Sequence, residues 1–303
     1  MLSLILKLIA AALAFGVLFS GCQIIRNGQS IPLAQAQRDV LRLATCNVHY
    51  IVPDKEAGAW SQQDWDRRKG PLNSAVQAIG ADIIAFQEME TFSRRNADVP
   101  NLTLDYLTRN NPDFAVAAVG DPKTFPSTQP IFFRKAALDL QDQGWFFFSK
   151  TPDVIYSRTF NGSWSAFASW AAFQDKRSGK AFRVINIHTD YASRSNRLQS
   201  AELVKNRIVP WVADGETVFV AGDLNARSGA ETLRIIEEAG VEFSPVQGST
   251  YHLNRGLNLF GAIDHIGVAG NARQFGEAFV MRKKFDGEWP TDHYPVIVDY
   301  VLQ

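Results

Sequence analysis

Acids, amides and imidazoles recur in this sequence directly beside apolar, strand-like runs. Asn47 interrupts Leu43-Ala-Thr-Cys-Asn-Val-His49, Gln87-Glu88 closes Asp82-Ile-Ile-Ala-Phe86, and His188 follows Val184-Ile-Asn-Ile187. Asp223 and Asn225 follow Val218-Phe-Val-Ala-Gly222, Asp264-His265 sits within Gly261-Ala-Ile-Asp-His-Ile266, and Asp292-His293 precedes Tyr294-Pro-Val296. Function in sheet proteins gathers at strand mouths and loops. Taken singly, each residue has an ordinary explanation: Glu88 a solvated surface acid, Asp223 and Asn225 a turn with an Asx cap, His188 a satisfied core histidine. Taken together they supply what metal-assisted hydrolysis of a phosphate ester needs. There are hard oxygen ligands for Mg²⁺, a group to activate water, and donors to the phosphate oxygens.

Such residues must be positioned by a framework, and its elements are readable. Val40–Val48 and Asp82–Gln87 are strand candidates, and Pro71 begins a helix in which Leu72, Val76 and Ile79 recur at i, i+4 and i+7 before Gly80 ends it. Residues 114–119, 130–134, 166–173 and 181–187 read as further strands, and Ser195–Ala213 as a helix. A strand at Thr217–Ala221, a helix at 230–239 and strands at Ala262–Val268 and Tyr294–Val301 complete the chain. Many strands with interspersed helices imply an α/β or α+β domain with covered sheet faces.

With 46% apolar and 20% charged residues, the chain of 303 is globular with a sizeable core. Lys plus Arg equals Asp plus Glu at 31 each, so no overall positive field favours duplex DNA, which argues against a general nuclease. Residues 2–20 are almost wholly apolar and lead into Leu18-Phe-Ser-Gly-Cys22. That pattern resembles a bacterial lipoprotein signal, with Cys22 the acylated residue and the body exported; an uncleaved membrane anchor or a plain secretory signal is the alternative. Residues 23–38 read as a tether and 39–303 as one domain. With Cys22 lipidated, Cys46 has no partner and reads as a buried small hydrophobe.

The ordered segments Ala44-Thr-Cys-Asn-Val48, Asp82 to Glu88, Ile185-Asn-Ile-His-Thr-Asp190, Ala221-Gly-Asp-Leu-Asn-Ala226, Ile263-Asp-His-Ile266 and Thr291-Asp-His-Tyr-Pro-Val296 resemble the signature of the endonuclease/exonuclease/phosphatase (DNase I-like) superfamily. The resemblance implies a four-layer α/β sandwich, two mainly antiparallel sheets packed face to face with flanking helices. It implies Mg²⁺, with Mn²⁺ a substitute, held by Asn47, Glu88 and Asp292. It implies catalytic roles for His188, Asp223, Asn225, Asp264 and His293: Asp223 as the activator of water, Asn225 and His188 as phosphate-binding groups, and His293 as a donor steadied by Asp264. His265 faces away from Asp264 by strand alternation. His49 and His252 remain open between site and structure, as do Asp190, Tyr191 and Arg197 between cleft and solvated loop. The substrate class within this group, whether nucleic acid, nucleotide, sugar phosphate or lipid headgroup, stays undecided. No protein partner is indicated. The competing reading is a catalytically silent surface lipoprotein that keeps the fold for binding.

Overall fold

The computed structural model describes residues 2–28, 33–37, 39–93 and 99–303, and the side chains of residues 2, 20 and 22–28 fall outside that description, that of Cys22 among them. In chain order the elements begin with α1 (Leu2–Gly28), β1 (Leu41–Asn47), α2 (Gln62–Ile79), β2 (Ile83–Gln87) and α3 (Leu102–Asn110). There follow β3 (Phe114–Ala117), β4 (Ile131–Arg134), β5 (Leu138–Phe147), β6 (Phe167–Asp175), β7 (Ala181–His188) and α4 (Arg194–Ala213). The last are β8 (Thr217–Asp223), α5 (Glu231–Glu237), β9 (Glu242–Phe243), β10 (Asp264–Ala269), β11 (Ala272–Val280) and β12 (Val296–Leu302). Helix α1 leaves Leu13, Phe15, Val17 and Leu18 exposed and continues to Gly28, inside the segment read as a tether. Among the described residues, no helix is long and apolar enough to cross a membrane.

The strands form two six-stranded sheets, ordered β11-β12-β1-β2-β4-β3 and β5-β6-β7-β8-β10-β9. Each sheet has one parallel pair, β1 with β2 and β7 with β8, and α2 and α4 make the two crossovers. All other pairs are antiparallel. Side-chain alternation then divides the apolar residues among three cores. Leu43, Ala85 and Val298 of one sheet meet Phe173, Phe219 and Ile266 of the other. On the outer face of the first sheet, Ala44, Cys46 and Phe86 pack under Trp65, Leu72 and Val76 of α2. On the outer face of the second, Ile185, Ile187 and Val220 pack under Ala201, Val204 and Ile208 of α4 and Leu233 of α5. The result is the four-layer α/β sandwich that the sequence leads one to expect.

Topology decides where the polar residues emerge. In a parallel pair both carboxyl ends face the same way, so Asn47 lies beside Gln87, and His188 beside Asp223. Antiparallel pairing of β10 with β8 sets Asp264 opposite Asp223, and β12, pairing Val296 with Thr45, starts at the same edge just after Asp292-His293. All six segments therefore open on one mouth. Behind it a polar tie joins the sheets: Gln87 donates to Asn186 Oδ1 at 2.7 Å, and Asn186 donates to the Phe86 carbonyl at 2.7 Å.

One boundary beside the site differs from the sequence reading by several residues. Helix α2 starts at Gln62, with Ser61 as N-cap accepting from the Asp64 amide, and Pro71 lies inside it. The turns before Pro71 bury Asp64 and Arg68 as an ion pair, so the apolar repeat that marks the rest of the helix is missing there.

Candidate active site

Asn47, Glu88, His188, Asp223, Asp264 and His293 form one connected cluster. The Asn47 amide donates to Glu88 Oε1 at 3.0 Å and to Asp223 Oδ2 at 3.2 Å, tying the two sheets' acids together. His188 Nε2 stands 3.7 Å from both Glu88 Oε1 and Asp223 Oδ2. His293 Nε2 lies 3.8 Å from Asp223 Oδ2, while its Nδ1 pairs with Asp264 Oδ2 at 2.9 Å. Asn225 donates its backbone N–H to Asp223 Oδ1 at 2.9 Å and its side-chain amide to the Thr189 carbonyl at 2.9 Å. Asp292 joins through His49, whose Nε2 is 3.8 Å from Asp292 Oδ2.

The backbone is bent to present these groups. Glu88, Asn225 and His49 have φ of 54°, 45° and 62°, left-handed values that side-chain-bearing residues adopt rarely and that gather at functional sites. Threonines fix the turns. Thr291 Oγ1 donates to the Asn47 carbonyl at 2.8 Å, Thr189 Oγ1 to the Leu224 carbonyl at 2.5 Å, and Thr250 Oγ1 accepts from the Asp264 amide at 3.1 Å. Arg68, buried in α2, donates to the carbonyls of Val48 at 2.7 Å and His49 at 2.5 Å, so the helix holds the β1 exit from below. In the sequence Thr189 and Thr291 stand inside the ordered segments, with nothing to say which backbone group each hydroxyl would reach.

Electrostatics separate the roles. Burial and the neighbouring Asp264 push the Asp223 carboxyl up to about 6, against the pull of His293 and His188. Burial alone would depress His293, yet the charge and hydrogen bond of Asp264 outweigh it and hold the imidazole well above its ordinary range. Burial works to raise Glu88, but His188 and the Asn47 hydrogen bond hold it below the usual carboxylate range. The mouth thus contains an ionised acid, a carboxylate able to take a proton near neutrality, and a persistent imidazolium.

Other candidates sort cleanly. His265 turns to the opposite face, fully buried, with Nε2 2.9 Å from the Ala226 carbonyl. His252 does not line the cleft: it is 1% exposed, its ring stacked 4.0 Å from that of Tyr294 and beside Trp289. Asp190 caps the turn into α4, accepting from the Ala192 and Ser193 amides and from Asn196. Cys46 is buried in the outer core, and burial pushes its thiol far up, as suits an inert packing residue.

Residues 44–293 match the model of the Endonuclease/Exonuclease/phosphatase family. No curated protein matches the chain significantly. Similar solved structures include an endonuclease/exonuclease/phosphatase family protein from Bacteroides thetaiotaomicron, at 21% identity and TM-score 0.73, covering 88% of this chain and 100% of that one. The mannosyl-6-phosphatase of Bacteroides thetaiotaomicron VPI-5482 aligns at 21% identity and TM-score 0.72, covering 86% and 100%. D. rerio TDP2 complexed with single-strand DNA product aligns at 15% identity and TM-score 0.60, covering 86% and 98%. At these identities the likeness is one of fold.

Proposed function

The chain belongs to the endonuclease/exonuclease/phosphatase family, and from that premise we propose that it hydrolyses a phosphate ester with a divalent cation, Mg²⁺ by preference. The observation that carries this reading is the cluster just described, in which groups from both sheets meet within hydrogen-bonding or ion-pairing distance. The phosphatase and the DNA-processing enzyme that share this fold are consistent with phosphoester chemistry.

The residues fit a hard cation. Among the described residues, no lysine or arginine comes within salt-bridge distance of Glu88, Asp223, Asp264 or Asp292, whose neighbours at that range are histidines. Asp264 Oδ1 is buried without a hydrogen-bond partner. Asp223, Asp264 and His293 also offer ligand atoms within 4.8 Å of one another, but His293, protonated on the Asp264 side and held high, is a poor ligand. As the family resemblance implies, Asn47, Glu88 and Asp292 would hold the ion through oxygen, the donor type Mg²⁺ and Mn²⁺ take. When bound, the cation would neutralise phosphate charge and favour ionisation of water.

This chain's own residues would do the rest. Asp223, buried and poised near neutrality, accepts the proton of the attacking water. Asn225 keeps Asp223 oriented through its backbone and steadies a phosphate oxygen. His293 donates to the non-bridging oxygens as negative charge develops, and Asp264 fixes its ring and its charge. His188, between Glu88 and Asp223, donates to the phosphate or the leaving group. The products are a free hydroxyl and a phosphate monoester or inorganic phosphate.

The same proposal puts the domain outside the cytoplasm, tethered to a membrane through lipid on Cys22. Support comes from the apolar run ending in Ser20-Gly21-Cys22 and from the apolar side chains that α1 leaves exposed. Palmitate labelling of the expressed chain should be lost in Cys22→Ser; label that persists in the variant defeats the lipid assignment. For the chemistry, the purified protein is assayed on a generic phosphodiester and monoester with Mg²⁺ or with chelator. Turnover should vanish with chelator, and Asp223→Ala should lower kcat by roughly 10²–10⁴, the span usual for a general base. No metal-dependent turnover on either ester would favour the binding-only lipoprotein, and a loss under about tenfold in the variant would remove Asp223 from the base role.

A further inference from the structure

Three phenols stand around the mouth, each from a different loop. Tyr50 follows the Asn47 end of β1; its amide lies 3.5 Å from Glu88 Oε2 and its ring is stacked on Trp60 at 5.9 Å. Tyr251 pairs in a β-bridge with His293, and its ring centre is 5.0 Å from the imidazole. Tyr191 follows the His188 end of β7, is 83% exposed, and is held through its carbonyl by Arg197. Trp60 is a support rather than a contact surface, because Lys55 Nζ sits over its ring at 4.4 Å.

Among the described residues, none of these three hydroxyls hydrogen-bonds to protein. Elsewhere in the fold the Tyr156 hydroxyl donates to the Pro122 carbonyl and that of Tyr300 is shared with Ser244, while the Tyr294 hydroxyl is enclosed in the core without a partner and out of reach of a ligand. Tyr50 and Tyr251 also lie in the field of the acids. Burial, then Glu88, Tyr191 and Asp292, push Tyr50 up, and burial, then Asp292 and Glu88, do the same for Tyr251.

The charge distribution is a second, independent observation. A polynucleotide presents phosphate after phosphate, and proteins hold those phosphates chiefly with lysine and arginine. Among the described residues neither type comes within salt-bridge distance of Glu88, Asp223, Asp264 or Asp292. The two basic side chains beside the phenols, Lys55 and Arg197, are turned to the backbone carbonyls of Ala59, Asp190 and Tyr191 rather than toward the further phosphates of a strand. An uncharged ring bearing one phosphate meets aromatic faces and free hydroxyls instead, which give stacking and hydrogen bonds.

Building on the phosphoester reading above, we propose that Tyr50, Tyr191 and Tyr251, with Trp60 behind Tyr50, select the alcohol half of the substrate. That half is a neutral ring carrying a single phosphate, a free sugar or a nucleoside, and not a polynucleotide strand.

The test uses the full-length chain in detergent with Mg²⁺ and four substrates: a hexose 6-phosphate, a nucleoside 5′-monophosphate, ringless glycerol phosphate and a single-stranded oligonucleotide. One of the ring esters should exceed both glycerol phosphate and the oligonucleotide in kcat/KM by about tenfold or more, the scale of one stacking contact. Whichever ring ester leads identifies the source of the ring. Tyr191→Ala, at an exposed position that leaves the core untouched, should reduce that advantage by about tenfold, mainly through KM. An oligonucleotide hydrolysed as well as the ring esters, or an advantage unchanged in Tyr191→Ala, overturns the inference. Similar turnover of all four substrates would leave the hydrolase reading standing and remove the selective collar. Turnover of none would defeat both.

Discussion

At the scale of the residue, the pairing of His293 with Asp264 is the contact with the most specific chemical consequence. A buried imidazole would ordinarily lose its proton, and here Asp264 at 2.9 Å reverses that preference. His293 then remains a cationic donor through neutral pH, so truncating it to Ala should cost roughly 10²–10³ in kcat, the penalty for losing one preorganised donor. Asp264→Asn keeps the shape and removes the charge. With the imidazolium less favoured, the alkaline limb of the pH–rate profile should move to lower pH, a displacement that a merely structural aspartate would not produce. A profile unchanged in Asp264→Asn would mean that His293 does not act as its protonated form. These residues were legible in the sequence because six strand-end segments carry them together in one order, whereas any one alone reads as a surface or turn residue. Their supports were not: Thr189, Thr250 and Thr291 act through backbone carbonyls and amides, and no side-chain pattern announces which carbonyl a hydroxyl will reach.

At the scale of the element, the site depends on how closely β7 and β8 approach. Gly222 has φ of 152°, and a Cβ there would fall 1.9 Å from the Ile187 carbonyl oxygen of the neighbouring strand. Gly222→Ala must therefore push the two strands apart at the pair that carries His188 and Asp223. The expected outcome is a loss of about 3 kcal/mol or more in urea unfolding, the upper end of overpacking costs, with a fall in kcat beyond what unfolding explains. A stability within about 1 kcal/mol of the parent would show that the strands can yield without strain. The elements themselves were largely readable from apolar periodicity. Those missed lack it: β5 is buried only at Leu138 and Phe146-Phe147, β9 has two residues, β11 alternates around Gly276 with little buried, and α3 is a short helix burying only Thr103 and Leu107. Helix α2 was read from its apolar half alone, because its first turns bury the Asp64–Arg68 pair that holds the β1 exit.

At the scale of the whole molecule, buried histidines make the fold sensitive to acid. Burial pushes His252 down to about 3, and burial likewise lowers His49 and His265. In the unfolded chain a histidine takes its proton near 6.5. Below that pH the unfolded state binds a proton that native His252 refuses, so its contribution to stability is full above about 6.5 and is lost as pH falls toward 3. The slope from one such group is at most about 1.4 kcal/mol per pH unit. His252→Phe keeps a ring between Trp289 and Tyr294 and cannot titrate, so its urea stability between pH 4 and 6 should fall less steeply than the parent's. Equal slopes would place the acid sensitivity elsewhere.

The tie between Gln87 and Asn186 crosses from one sheet to the other immediately behind the proposed catalytic groups. Glu88, Asn47 and Asp292 hang from one leaf of the sandwich, His188, Asp223 and Asp264 from the other, so the proposed reactive centre is a seam. A seam has no half-working state: a molecule whose leaves have begun to part keeps every group and loses their convergence. Turnover then reports the spacing of the two leaves more sensitively than any spectroscopic measure of strand content, and should fade at lower denaturant than the strands do.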